Sequence, residues 1–326
     1  MKIRGKLLSL ALIFALAPMI LIAGSYHLSM HRLRDRVSSI AYKNLTHDAK
    51  VHLQTLVDDY GRIVQRDRTI IEAILMSQAR EVENRLASTP PPSPKLYFSR
   101  DYDEKKHLPD DMEQLDKYSR LGPDGKPRLI SVSFSEQVYF PVRRVDRKAI
   151  ARDMACLSTM PAVYYKLYQS NSKMMSWLYT SLESGFHSSY PGHGGYPPEY
   201  DPRVREWYTT AKETPGPVWT LLPDVSTRTV SLTCSMSVLR PNGDFAGVTA
   251  IDVPLTGILE ELKLPREWSK SATILQTFLG SPDPEYTDKL VIVIQESYRN
   301  RGREWKRPVN LQNLQSDDPK EMGAFM

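Results

Sequence analysis

The segment "LLSLALIFALAPMILIAG", Leu7 to Gly24, constrains this chain more than any other stretch, because no charge interrupts it and none follows until Arg32. At about 1.5 Å of rise per helical residue, such a run reaches across a hydrocarbon layer about 30 Å thick. Lys2, Arg4 and Lys6 precede it, as they do the apolar region of a signal peptide. The run is longer than such a region, however, and no A-x-A-like cleavage site follows it. The expectation is an uncleaved anchor at 1–32. Pro18 is tolerable there, since membrane helices re-satisfy the backbone group that proline frees. The basic start is expected to stay cytoplasmic, although Arg32, Arg34 and Arg36 beyond the span reduce the asymmetry. The rest of the chain is then expected to be extracytoplasmic.

The same region accounts for the charge. Residues 1–36 hold six basic side chains against Asp35 alone, which equals the net charge of +5 for all 326 residues. The other 290 residues carry 37 basic and 37 acidic groups. A nucleic-acid-binding face needs a basic excess on the folded part, so nucleic acid is not an expected partner. No H-x-x-x-H, no cysteine cluster for a metal and no phosphate-cradling glycine loop is read, so neither a metal nor a cofactor is expected. Cys156 and Cys234 are 78 positions apart, one in a helical and one in a strand pattern, and two free thiols are expected.

From Leu33 to Ser88 one long helix is predicted. Val37, Ile40, Leu45, Ala49, Leu53, Leu56, Tyr60 and Ile63 keep a helical spacing, which resumes at Ile70, Ile74, Ala79, Val82 and Leu86. "STPPPSP" (88–94) ends it, because proline cannot continue the hydrogen-bond ladder. Such a stripe can pack on the next domain or on a second copy, so a homodimer through it is a candidate.

Beyond the prolines, "DYDEKKHLPDDMEQLDKYSR" reads as solvated surface, "GPDGKPR" as a turn, and "LISVSFSEQVYF" as a strand. Residues 147–171 read as a helix broken near Pro161. "MSWLYTSLES" reads as a strand closed by Gly185, and "REWYTTAKE" as a short helix. "PVWTLLPDVSTRTVSLTCSMSVLR" reads as two strands meeting near Asp224–Thr227, and "GVTAIDV" as a buried strand followed by a helix. A long helix, then strands in antiparallel order, is an α+β pattern and not alternating βαβ.

Several of these pieces occur in a particular order: Trp177-x-Tyr179 with Gly185, "YDPRVREWYTTA" (200–211), "PDVST" (223–227) and "NGDFAGVTAIDV" (242–253). In that order and spacing the chain resembles double Cache sensor domains over roughly Leu33 to Asp318. The resemblance implies two stacked PAS-like modules with antiparallel sheets after a long N-terminal helix. The membrane-distal module would be 95–262. The membrane-proximal one, 263–326, would be incomplete, with "WSKSATILQTFLG" and "KLVIVIQESYRNRGREW" as its opening strands. Its function would be to sense a small molecule outside the cytoplasm, without enzymatic activity of its own. The stretch 56–87 is similar to sensors fused to sporulation-type serine phosphatases. No such output module is present, so a fragment of a larger receptor is expected.

Within that family, residues matching Tyr200, Arg205, Trp207, Tyr208 and Asp252 bind free amino acids, and Asp224 matches a further acid. The chemistry fits the roles. Arg205 offers a planar fork of donors to a carboxylate. Tyr200 can add a hydroxyl, and Trp207 an indole N–H or a flat wall. Asp252, at the end of a buried strand, needs a cationic partner, and a ligand ammonium supplies one. Tyr208 can complete the ammonium cage. One position departs from the pattern: where amino-acid-binding members carry a tyrosine two residues before an aspartate, this chain has Leu222-Pro223-Asp224.

Other roles remain open at this stage. Arg203 is expected to pair with Asp201, Arg205 can be a structural ion-pair partner, and Asp252 can cap a helix. The same fold can sense a simple organic acid or amine. A surface-anchored hydrolase using His187 or His193 is a third reading, although it needs a positioned acid and oxyanion donors.

Overall fold

The computed structural model describes residues 3–121, 127–227, 230–254, 273–277, 290–295 and 309–310. The chain divides into two units, Met1–Arg66 and Asp67–Met326. Helix α1 (Ile3–Ala87) contains the whole of the predicted long helix.

In the first unit the apolar side chains are outside. Leu12, Phe14, Ile20, Leu21 and Ile22 are exposed, as are Val37, Ile40, Leu45 and Val57. One helix, beginning near the N-terminus, is long and apolar enough to cross a membrane. That exposure is what a lipid-facing segment requires.

In the second unit, a seven-stranded sheet is formed by β1 (Tyr97–Phe98), β4 (Val138–Pro141), β5 (Trp177–Leu182), β6 (Phe186–Tyr190), β7 (Val218–Pro223), β8 (Val230–Leu239) and β9 (Phe245–Pro254). Its order is β1-β4-β6-β5-β9-β8-β7. Only the short β1–β4 pairing is parallel; the others are antiparallel. Strands β5 and β6 form a hairpin in which Gly185 adopts a φ of 107°, a left-handed region that glycine enters without a Cβ penalty. The hairpin β2 (Glu113–Leu121) and β3 (Pro127–Val132) forms a separate two-stranded sheet.

Period-2 alternation divides the large sheet into two faces. Leu178, Leu182, Phe186, Tyr190, Cys234, Ile251 and Val253 point to one side. There they meet Ile71, Ile74, Leu75, Val82 and Leu86 of α1, and the helices α3 (Arg147–Leu157) and α4 (Pro161–Ser170). Asp146 caps α3 by accepting a hydrogen bond from the Lys148 amide, and Pro161 opens α4 where its missing N–H costs nothing. Trp177, Tyr179, Val248 and Ala250 point to the other side, against Trp207, Tyr208 and Ala211 of α5 (Glu206–Glu213) and against Tyr118 and Val132 of the hairpin.

Two readings of the sequence change here. Residues 101–120, read as solvated surface, hold the end of a short helix, α2 (Ser99–Asp103), and most of strand β2, with Tyr118 wholly buried and Lys117 donating to the carbonyls of Ser172 and Met175. "LISVSFSEQVYF" is two strands, not one, because Ser133–Gln137 turns the chain between β3 and β4. Further along, β10 (Thr273–Thr277), β11 (Leu290–Gln295) and β12 (Val309–Asn310) form a three-stranded antiparallel sheet where opening strands of a second module were expected. The predicted turn at 122–126 and the helix after β9 lie outside the described residues.

Candidate ligand-binding site

A cleft opens on the α5 side of the sheet, with about 420 Å³ of empty space counted out to its solvent mouth. Its walls include Tyr200, Arg205, Trp207, Asp224 and Asp252, five of the six residues expected from the sequence. Tyr208 is elsewhere. Its hydroxyl donates to Glu183 Oε2 at 2.7 Å, while its ring packs edge-on to Trp207 and Phe245. Helical spacing explains the separation: adjacent residues on α5 point about 100° apart, so Trp207 and Tyr208 cannot share one opening.

Asp252 is placed by register. It sits in β9 opposite Trp177 of β5 and Thr233 of β8, so all three project from the same face. The Tyr179 hydroxyl (2.8 Å) and the Thr233 hydroxyl (2.6 Å) both donate to its Oδ1. Asp224 lies in the turn between β7 and β8. Its Oδ1 accepts from the Ser226 amide at 3.0 Å, from the Thr227 hydroxyl at 2.7 Å and from the Thr227 amide, and the Trp177 indole also donates to the carboxylate. Desolvation raises the pKa of both acids. The negative charge of Asp224 raises Asp252 further, whereas its two hydroxyl donors and Arg205 act in the opposite direction. A nearby cation would relieve both carboxylates.

The donors on the cleft wall are in the opposite condition. The half-buried Arg205 guanidinium forms no ion pair and no hydrogen bond among the described residues. The same holds for the Tyr200 hydroxyl and the Trp207 indole N–H, whose residue is only 4% exposed. Arg203 behaves differently: its Nε and Nη2 hold Asp201 at 3.0 and 2.8 Å, as expected of a structural pair. The Asp201 side chain also caps the turn through the Arg203 amide at 3.0 Å, which presents Arg205 at the start of α5.

Further residues line the cleft: Trp177, Tyr179, Ser189, Tyr196 and Thr233, and also His187, which the sequence offered only as a hydrolase residue. Alternation places those on β5, β6 and β8 on the face of Asp252, whereas Tyr196 comes from the loop after β6. Leu222 is also in the wall, so the missing tyrosine is replaced by an apolar surface and not by a displaced strand.

His187 and His193 are wholly buried. His187 has Ser181 Oγ at 2.7 Å from Nδ1 and the Tyr196 hydroxyl at 3.2 Å from Nε2. Burial pushes its pKa down to about 3, so the ring is neutral. His193 stacks on Trp177 at 4.0 Å, contacts Pro191 O and Ser226 Oγ, and is pushed down to about 4. Neither imidazole is oriented by a carboxylate, as a serine–histidine hydrolase needs. Among the described residues no three His, Cys, Asp or Glu side chains group to hold a metal. One H-x-x-x-H does occur, His27 to His31 on α1, with Nε2 atoms 3.0 Å apart. It supplies only two ligands. Cys156 and Cys234 are buried free thiols.

No family model matches the chain, and no curated protein matches it. Solved structures do match. They are ligand-binding domains of chemoreceptors. The domain of Campylobacter jejuni Tlp3 with L-norvaline is 17% identical (TM-score 0.30), over 37% of this chain and 49% of that one. The domain of the Pseudomonas aeruginosa amino-acid chemoreceptor PctC with GABA is 24% identical (TM-score 0.30), over 39% and 57%. The domain of Pseudomonas fluorescens CtaA with L-serine is 20% identical (TM-score 0.33), over 44% and 62%. The chain thus spans about half to three-fifths of the length of the structures it matches.

Proposed function

We propose that residues 67–254 are the ligand-binding part of a membrane-anchored, extracytoplasmic sensor of the double Cache type, and that its ligand is a free amino acid. The observation that carries this reading is the division of the cleft. Three donors without protein partners, on Arg205, Tyr200 and Trp207, share it with two carboxylates, Asp224 and Asp252, whose ionised forms are disfavoured by burial. A carboxylate satisfies the first group, an ammonium the second, and a zwitterion carries both. Arg205 is the carboxylate clamp, Asp252 and Asp224 hold the ammonium, and Tyr200 and Trp207 orient the carboxylate end.

A simple amine is the second reading, favoured by the excess of two carboxylates over one guanidinium on the walls. Thermal-shift measurements with L-amino acids, amines and short carboxylic acids separate the two. Stabilisation by zwitterions that is lost in both Arg205→Ala and Asp252→Ala supports the amino-acid reading. Stabilisation by amines that survives Arg205→Ala supports the second.

A further inference from the structure

The face of α1 that packs on the sheet is apolar except at one point. Between Leu75 and Val82 lies Gln78, whose side chain is fully buried. Its Nε2 donates to Thr249 Oγ1 at 2.7 Å, to Ala250 O at 3.1 Å and to Tyr179 O at 3.3 Å. Tyr179 and Ala250 face each other across β5 and β9. Both are one rung from the Trp177–Asp252 pair on the cleft face, and the Tyr179 hydroxyl itself holds Asp252.

Behind Gln78 the hydrogen bonds run in one direction. Thr249 Oγ1 donates to Tyr179 O at 3.0 Å, which uses its only proton. The 2.8 Å contact between Thr180 Oγ1 and Thr249 Oγ1 must then be donated by Thr180. In turn, the 2.9 Å contact between Tyr164 OH and Thr180 Oγ1 must be donated by Tyr164. A buried chain therefore runs from α4 through β5 and β9 to the Tyr179 carbonyl, and Gln78 joins it from α1. The Gln78 Oε1, by contrast, is buried with no partner. An apolar side chain of similar volume would avoid that orphan acceptor, so stability alone does not account for a glutamine here.

We propose that Gln78 is a positioning residue for Asp252: it fixes the Tyr179–Ala250 rung from the α1 side and thereby couples the position of α1 to occupancy of the cleft. The inference rests on the amino-acid reading above. A ligand ammonium that draws on Asp252 displaces the rung, and the rung is bonded to the helix that leads toward the apolar span. Any such coupling is reciprocal, so loosening the helix side weakens ligand binding.

The test uses the full chain in detergent, with Gln78→Met and Thr249→Val, each of the twenty proteinogenic L-amino acids offered singly, and Kd and Tm measured together. The expected result is a Kd raised at least tenfold in both variants, with the Tm of the empty protein unchanged or higher. The onset of binding also moves to higher pH, because a loosened Tyr179 hydroxyl no longer favours ionised Asp252. A wild-type protein that binds none of the amino acids removes the reading on which the proposal rests, and the proposal with it. Wild-type binding that both variants retain within twofold overturns the proposal alone.

Discussion

The two faces of the seven-stranded sheet are written into the same six residues of β5. Leu178, Thr180 and Leu182 look toward α1, α3 and α4, where they meet apolar contacts and the Gln78–Thr249–Thr180–Tyr164 hydrogen-bond chain. Trp177, Tyr179 and Ser181 look toward the α5 side, where Tyr179 spends its hydroxyl on Asp252 and the cleft wall retains unpaired donors and desolvated acids. One face is finished as a core. The other, on the reading proposed above, is completed by a ligand. Substitutions of the apolar side chains on the first should therefore change stability, and substitutions on the second, or of the Gln78–Thr249 link behind it, should change binding.

The largest expected effect lies on the helix side. Leu178→Ala or Leu182→Ala, both fully buried, should cost about 2–5 kcal/mol of stability through lost transfer energy and a cavity. Denaturant titration measures this, and the folded fraction should keep its ligand affinity. On the cleft side the pattern reverses. Asp252→Ala should weaken amino-acid binding by about 2–5 kcal/mol, while the empty protein becomes no less stable, since the removed carboxylate was desolvated. If calorimetry found unchanged affinity and a lower Tm, Asp252 would be a structural acid.

The pH dependence next separates two kinds of buried group on the cleft side. His193 is neutral in the fold, with its pKa pushed down to about 4 from an unfolded value of about 6.5. The unfolded chain binds the extra proton, so this contribution is complete above pH 6.5 and is lost as pH falls toward 4, at up to about 1.4 kcal/mol per pH unit. His193→Gln should flatten the stability–pH curve in that window. Asp252 and Asp224 have the opposite sign. Their raised pKa values make the fold bind more protons than the unfolded chain, so their contribution is largest at low pH and declines as pH rises through the folded values. Ligand affinity should therefore weaken on acidification from pH 8, because a protonated acid no longer pairs with an ammonium.

Smaller effects sharpen the boundary of the cleft. Tyr200→Phe should cost about 1 kcal/mol of affinity, the value of one neutral hydrogen bond. Leu222→Tyr, which introduces the tyrosine that the resemblance implies at this position, should add a similar amount. Tyr208→Phe should leave affinity within twofold, since its hydroxyl serves Glu183 and not the cleft.

Much of this architecture was legible in the sequence because it depends on short-range rules. The α1 stripe, the stop at Pro90–Pro92, the break at Pro161 and the strand "GVTAIDV" follow from periodicity and proline chemistry. The failures have a common physical origin. In β2, Glu113, Asp116, Lys117 and Arg120 gave a solvated composition, while the inward Tyr118 was a single residue too few to reveal the period. Tyr208 was grouped with Trp207 through the resemblance, although the helix turns them apart. Trp177 and Tyr179 were legible as buried but not as cleft-lining, because alternation says which residues share a face and not what covers it. Gln78 was passed over for the same reason: the value of a polar residue in an apolar stripe depends on acceptors 101 to 172 positions away in the chain.

The most direct test of the central claim is isothermal titration calorimetry of the wild-type chain with an L-amino acid and with its two halves, the deaminated acid and the decarboxylated amine. The account predicts that the zwitterion alone binds measurably, since only it satisfies Arg205 and Asp252 together. Equal binding of either half would contradict it.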